Sequence, residues 1–247
     1  MILDKHMFWL YYLIDISSYV SNRERKGNCM INSNNRKLCL SGWLKHNNEQ
    51  EYNTPLKLQK FLLLYEVFSK VAGESTDFSH LKGYKRGPVF SHVWGDYTKE
   101  RILFDVAAEE CYTCRKADIN ESRAKKCAFI VSTLSEKELS ELTHKMNIWK
   151  SKENRIMRGE YQVALSESDF NQEDIELVSL LENMYPIEMI NESSVVSIDN
   201  HYFVFNKADV SKLTEAHFDI LSTLVESEEL YNPIYVDMDE EGRLLID

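Results

Sequence analysis

Between Thr54 and Gly73 the apolar positions recur with the period of a helix and cover most of its circumference. Leu58, Phe61, Leu62, Tyr65 and Phe68 make one stripe, and Leu63, Leu64 and Val67 widen it. Thr54 is a good N-cap, Pro55 suits the first helical position, and Gly73 suits the stop. The pattern predicts a helix buried on several sides, the hub of a helical core.

Other elements are shorter. A helix is expected from Lys37 to His46, followed by a polar break over residues 47–53. Residues 82–88 read as a turn, and Val89 to Arg101 as a helix with Val93, Trp94 and Tyr97 on one face. Residues 123–134 look helical. Ser135 and Glu138 form a capping box for a helix carrying Leu139 and Leu142. Asn171 caps a further helix bearing Ile175, Val178 and Leu181, which closes near Pro186. Beyond it, Val195–Ile198 and Tyr202–Phe205 flank Asp199-Asn200-His201, a hairpin signature. A helix over Ala208–Glu229 and two strands, Ile234–Asp237 and Arg243–Ile246, complete the tail. The expected fold class is mainly α: a helical core with a small C-terminal α+β extension.

The start of the chain reads differently. Met7 to Val20 is strongly apolar, but it is fourteen residues long and contains Asp15. A membrane span needs about 20 apolar residues, so no membrane partner is expected from it. Residues 21–36 are polar and aperiodic, a linker pattern. The stretch Arg23 to Cys29 can be encoded by a purine-rich run resembling a ribosome-binding site, which gives the expectation that translation starts at Met30 and that residues 1–29 are not native. The rival expectation is an amphipathic helix of Phe8, Trp9, Tyr12 and Ile16 docked on the core.

Charge divides the chain. Residues 1–159 hold 26 Lys/Arg against 19 Asp/Glu, a balance of +7, whereas residues 160–247 hold three against 21, a balance of -18. The tail should repel nucleic acid, whose binding requires clustered cations, and attract a basic surface. The plainer reading is a solvated acidic surface that maintains solubility. Hydrophobic residues at 43% and charged residues at 28% are ordinary globular values and argue against wholesale disorder.

Chemistry is thinly signalled. The sequence has no glycine-rich phosphate loop, no nucleophile elbow and no HExxH helix. Its cysteines, Cys29, Cys39, Cys111, Cys114 and Cys127, are odd in number, which with no cleavable secretory signal ahead of them suits reduced thiols in the cytoplasm. Cys111-Tyr-Thr-Cys114 with Cys127 and His144 gives one alternative, a metal-dependent enzyme, but a structural zinc site normally shows two tight ligand pairs and the second is missing.

Three clusters stand out together. The first is Leu56-Lys57-Leu58-Gln59-Lys60-Phe61-Leu62. The second is Tyr84-Lys85-Arg86-Gly87-Pro88-Val89 with Val93-Trp94 and Tyr97. The third is Leu139-Ser140-Glu141-Leu142-Thr143-His144 with Trp149. In this order they resemble the Panacea domain, the SocA-like or GepA-type family of bacterial and phage antitoxins, which shows an LxKLQKLLY-like helix, a GPV turn leading into a helix, and an LSxLTHxxxPW segment. The resemblance covers residues 53–185, between an N-terminal segment (1–52) and the acidic extension (186–247). Tyr84 stands where the family often has Trp, Leu63 where it often has Tyr, and Ile148 where Pro usually precedes the Trp. The resemblance implies a non-enzymatic, phage-associated antitoxin of the cytoplasm that needs no cofactor. Its implied partner is a cognate toxin encoded by the adjacent gene, with delivery to a Clp-type protease as a variant. Lys60, Tyr84, Gly87, Pro88, Val89, Trp94, Thr143, His144 and Trp149 are the candidate partner-binding or motif residues.

Bottom-up, most of these are architectural. Gly87-Pro88 fixes a sharp turn into the next helix. Thr143 and His144 can bond backbone groups left open at a helix end, and Trp149 fills the adjoining gap. Lys60 is the exception, because a lysine embedded in an apolar helix needs a carboxylate or an open face.

Overall fold

The structure is a computed structural model that describes residues 31–227 and 230–246. The expected start at Met30 and the apolar segment Met7–Val20 lie outside the described residues. The chain divides into two units, Met1–Asn32 and Ser33–Asp247, and the second carries every element named below. Its longer helices are α1 (Asn35–Asn47), α2 (Pro55–Val71), α3 (Ser91–Lys99), α4 (Arg101–Arg115), α5 (Glu121–Thr133), α6 (Glu136–Lys145), α7 (Gln172–Met184) and α8 (Glu215–Ser227). One sheet has the order β2-β1-β3, with β1 Leu81–Tyr84, β2 Gly87–Phe90 and β3 Val163–Ala164. A second has the order β4-β5-β6-β7, with β4 Ser193–Ile198, β5 His201–Asn206, β6 Ile234–Met238 and β7 Leu244–Ile246. The protein is therefore mainly helical with a small C-terminal sheet, as the hydrophobic pattern predicts. No described helix is long and apolar enough to cross a membrane.

Helix α2 is the hub. Every residue from Lys57 to Ser69 is buried, and α1, α5, α6, α7 and β2 pack around it. A helix buried all round must satisfy its polar side chains inside the protein. Gln59 Oε1 accepts from Phe90 N at 2.8 Å. Glu66 Oε1 accepts from Arg36 Nε at 2.8 Å, and Glu66 Oε2 accepts from Arg36 Nη2 and from Asp77 N, both at 3.0 Å. Lys37 Nζ also reaches Glu66 and donates to Asp77 O at 2.7 Å. This buried cluster clamps the start of α1 to the middle of α2. Thr54 does not cap α2 with its side chain; its hydroxyl donates instead to Gln50 O at 3.2 Å, drawn to a carbonyl of the preceding turn.

Further expectations need correction. Residues 82–88 are not merely a turn but the middle of a hairpin, in which Leu81 pairs with Phe90 and Tyr84 with Gly87. Pro88, which lacks an N–H, is tolerated because β2 is an edge strand. The single helix expected over Val89–Arg101 breaks at Glu100 into α3 and α4. Finally, Val93 and Tyr97 are buried, but Trp94 is 41% exposed, because the next residue along a helix points about 100° away.

In the tail, Asp199 and Asn200 both take positive φ (45° and 66°), the turn that suits the twist of β4 and β5. Strand β6 runs parallel to β5, joined through α8, and β7 returns antiparallel. Phe203, Phe205, Leu221, Ile234 and Val236 form the small core between this sheet and α8. The helix expected over Ala208–Glu229 is two pieces, a single turn at Lys207–Val210 and α8, separated where Thr214 N donates to His217 Nδ1 at 3.1 Å. Lys57 Nζ, paired with Glu51 at 2.9 Å, sits 4.3 Å from the centre of the Tyr202 ring, and Asn232 Nδ2 donates to Glu138 Oε2 at 2.9 Å. Both contacts tie the sheet to the helices.

Candidate functional site

The three sequence clusters converge on the Lys60 amine. α2 carries Lys60 inward, the β1–β2 turn supplies Arg86 and Gly87, and α6 supplies Thr143 and His144. Lys60 Nζ donates to Arg86 O at 2.8 Å and to Thr143 Oγ1 at 3.0 Å. The Thr143 hydroxyl in turn lies 3.0 Å from Leu139 O and 3.1 Å from Ser140 O, so it accepts from the lysine while donating back into its own helix. Against expectation, the amine has no ion-pair partner among the described residues; Lys60 is 1% exposed and its two acceptors are neutral. Burial, with the Arg86 charge adding to it, lowers its pKa to about 7.

Gly87 makes this approach feasible. Its φ is +102°, a conformation that L side chains rarely adopt, and it has no Cβ to collide with the amine. Behind it, Trp149 Nε1 donates to Tyr84 O at 3.0 Å, which pins the turn to the short helix Asn147–Lys150. The His144 ring stacks on Trp149 with centroids 3.8 Å apart and hydrogen-bonds the Lys85 main chain. Burial, then the Lys60 charge, hold this imidazole below its usual pKa, so it is neutral at pH 7. Its Nε2 is buried with no hydrogen-bond partner among the described residues. Thr143 thus bonds back into its own helix rather than to carbonyls left open at its end, while His144 and Trp149 bond the main chain of the hairpin at Lys85 and Tyr84.

Beside the amine opens a cavity of about 480 Å³ lined by Pro55, Leu56, Gln59 and Lys60 of α2, by Tyr84 to Arg86, Pro88 and Val89 of the hairpin, and by Trp94 and Glu136. The apolar residues form its walls. At the mouth stand Trp94 and the Arg86–Glu136 ion pair. Of the sequence candidates, Lys60, Tyr84, Pro88, Val89 and Trp94 line the cavity, while Gly87, Thr143, His144 and Trp149 do not. Leu56, Lys85 and Arg86 lie within the quoted clusters and were legible there as neighbours. Glu136 carried no signal beyond its place in the first turn of α6.

The alternative metal set is not assembled. Among the described residues no group of three or more His, Cys, Asp or Glu is placed to hold a metal ion. Cys127 is fully buried in α5 with its thiol pKa pushed up by burial, and Cys111 Sγ donates to Asn35 O at 3.1 Å. Searches against protein-family models, curated proteins and solved structures find no match.

Proposed function

We propose that this chain is an antitoxin that neutralises a cognate toxin by direct protein–protein binding in the cytoplasm, without cofactor or catalysis. The observation that supports the reading is the meeting of the three clusters that carry the Panacea resemblance. They lie far apart in sequence, yet they pack around one buried amine and frame one apolar cavity with a polar mouth. That combination suits recognition: an apolar pocket to receive an anchor, ringed by an aromatic and an arginine, the residue types that dominate binding energy at protein interfaces. The acidic tail fits the same role, since it would steer a basic partner and repel nucleic acid. Delivery of the bound toxin to a Clp-type protease is a variant in which neutralisation ends in degradation.

Growth tests the reading. The adjacent gene expressed alone should arrest growth, and co-expression of this chain should restore it. Two neighbouring genes that are both harmless alone contradict it.

A further inference from the structure

The cavity beside Lys60 has a specific chemical character. Three basic side chains line it, Lys60, Lys85 and Arg86, against one carboxylate, Glu136. Arg86 pairs with Glu136, and among the described residues no carboxylate pairs with Lys60 or Lys85. An ammonium carries three donors, and among the described residues Arg86 O and Thr143 Oγ1 accept only two of them. A buried amine with an unmatched donor, walled by Leu56, Pro88, Val89 and Trp94, complements a ligand that brings one carboxylate and one apolar body. A chain terminus supplies both on a single residue. The exposed Trp94 and the Arg86–Glu136 pair at the mouth offer further contacts to the residues preceding such a terminus, contacts that a small free acid would not use.

We propose that this cavity captures the C-terminal residue of a polypeptide, its carboxylate held by the Lys60 amine and its apolar side chain seated against Leu56, Val89 and Trp94. The inference rests on the binding reading above and names the part of the partner that enters: the free end of its chain. The groups facing the amine are Arg86 and Lys85 from the hairpin and Glu136 and His144 from α6. The amine holds its proton only below about pH 7 in the empty cavity. A bound carboxylate raises that value, so binding takes up a proton above pH 7 and weakens by up to about tenfold per pH unit from there upward.

The test uses the full chain and two pools of dodecapeptides with the last four positions randomised, one ending in a free carboxylate and one in an amide, with octanoate as a third probe. The free-acid pool should be retained with an apolar last residue enriched. A selected peptide should bind at least tenfold more tightly than its own amide and lose that preference in Lys60→Met. Leu56→Asp, which adds a like charge at the wall and leaves the amine in place, should weaken the acid peptide by a similar factor. No enrichment in the acid pool, or equal binding of acid and amide, overturns the proposal. Octanoate binding as tightly as the selected peptide overturns it too, in favour of a free acid as ligand. Growth rescue reads none of this, so an unenriched pool alongside intact rescue removes the carboxylate pocket and leaves the neutralisation reading standing.

Discussion

A methyl group on Gly87 would collide with Lys60 Nζ and lie 2.6 Å from Thr143 Oγ1. The bare backbone at Gly87 thus makes the room that the lysine amine occupies. Gly87→Ala must strain the backbone at its positive φ and push the amine off its two acceptors. It should cost roughly 1–3 kcal/mol in urea unfolding. Combining it with Lys60→Met removes the nearer collision, so the double variant should lose less than the sum of the two single losses. Strict additivity would show that the two residues do not interact.

Lys60 should also leave a signature in the pH dependence of stability. Its pKa is about 7 folded and near 10.5 when exposed in the unfolded chain. Between those values the unfolded state holds a proton that the folded state has released, so raising the pH favours folding. Below pH 7 both states hold it and the slope vanishes. Comparing wild type with Lys60→Met, the wild type should gain up to about 1.4 kcal/mol per pH unit more between pH 7 and 10. Parallel curves over that interval would mean that the amine is not buried as described.

How much of this was legible in the sequence depends on how local each cause is. The α2 hub, the Ser135 capping box and the Asp199-Asn200 hairpin are set by residues within a few positions of one another, and all three are present. The β1–β2 hairpin was not legible, because its strands are four residues each and contain Gly83, Gly87 and Pro88, which read as turn. Helix α4 was missed although Phe104, Ala108 and Tyr112, its buried stripe, recur every four residues; the Cys111–Cys114 spacing competed for the same segment. Lys60 was identifiable as out of place, but its acceptors lie 26 and 83 residues away and no local pattern encodes them.

The clamp on α1 offers a separate check. Glu66 is fully buried and answers both Arg36 and Lys37. Removing one member of such a cluster strands the others. Glu66→Leu should cost about 3–5 kcal/mol in equilibrium unfolding, because Lys37 is left buried without its directly bonded countercharge. Lys37→Met in the same chain should recover much of that loss. A loss under about 1 kcal/mol for Glu66→Leu alone would indicate that water reaches Lys37.

The acidic tail predicts kinetics. With a balance of -18 over residues 160–247, its field should speed encounter with a basic partner and fade as salt shortens the Debye length to about 8 Å at physiological ionic strength. Replacing exposed Glu240 and Glu241 together with Glu226 by Lys should slow association and flatten its salt dependence while changing dissociation little. Equal rates and equal salt slopes would reduce the tail to a solvated surface.

The most direct measurement is amide hydrogen exchange on the full chain, alone and saturated with the product of the adjacent gene. Binding through the Lys60 cavity predicts new protection concentrated in Pro55–Lys60, Tyr84–Trp94 and the first turn of α6 around Glu136. Protection confined to other surfaces, with those three segments exchanging as in the free chain, would contradict the assignment of this cavity as the partner site.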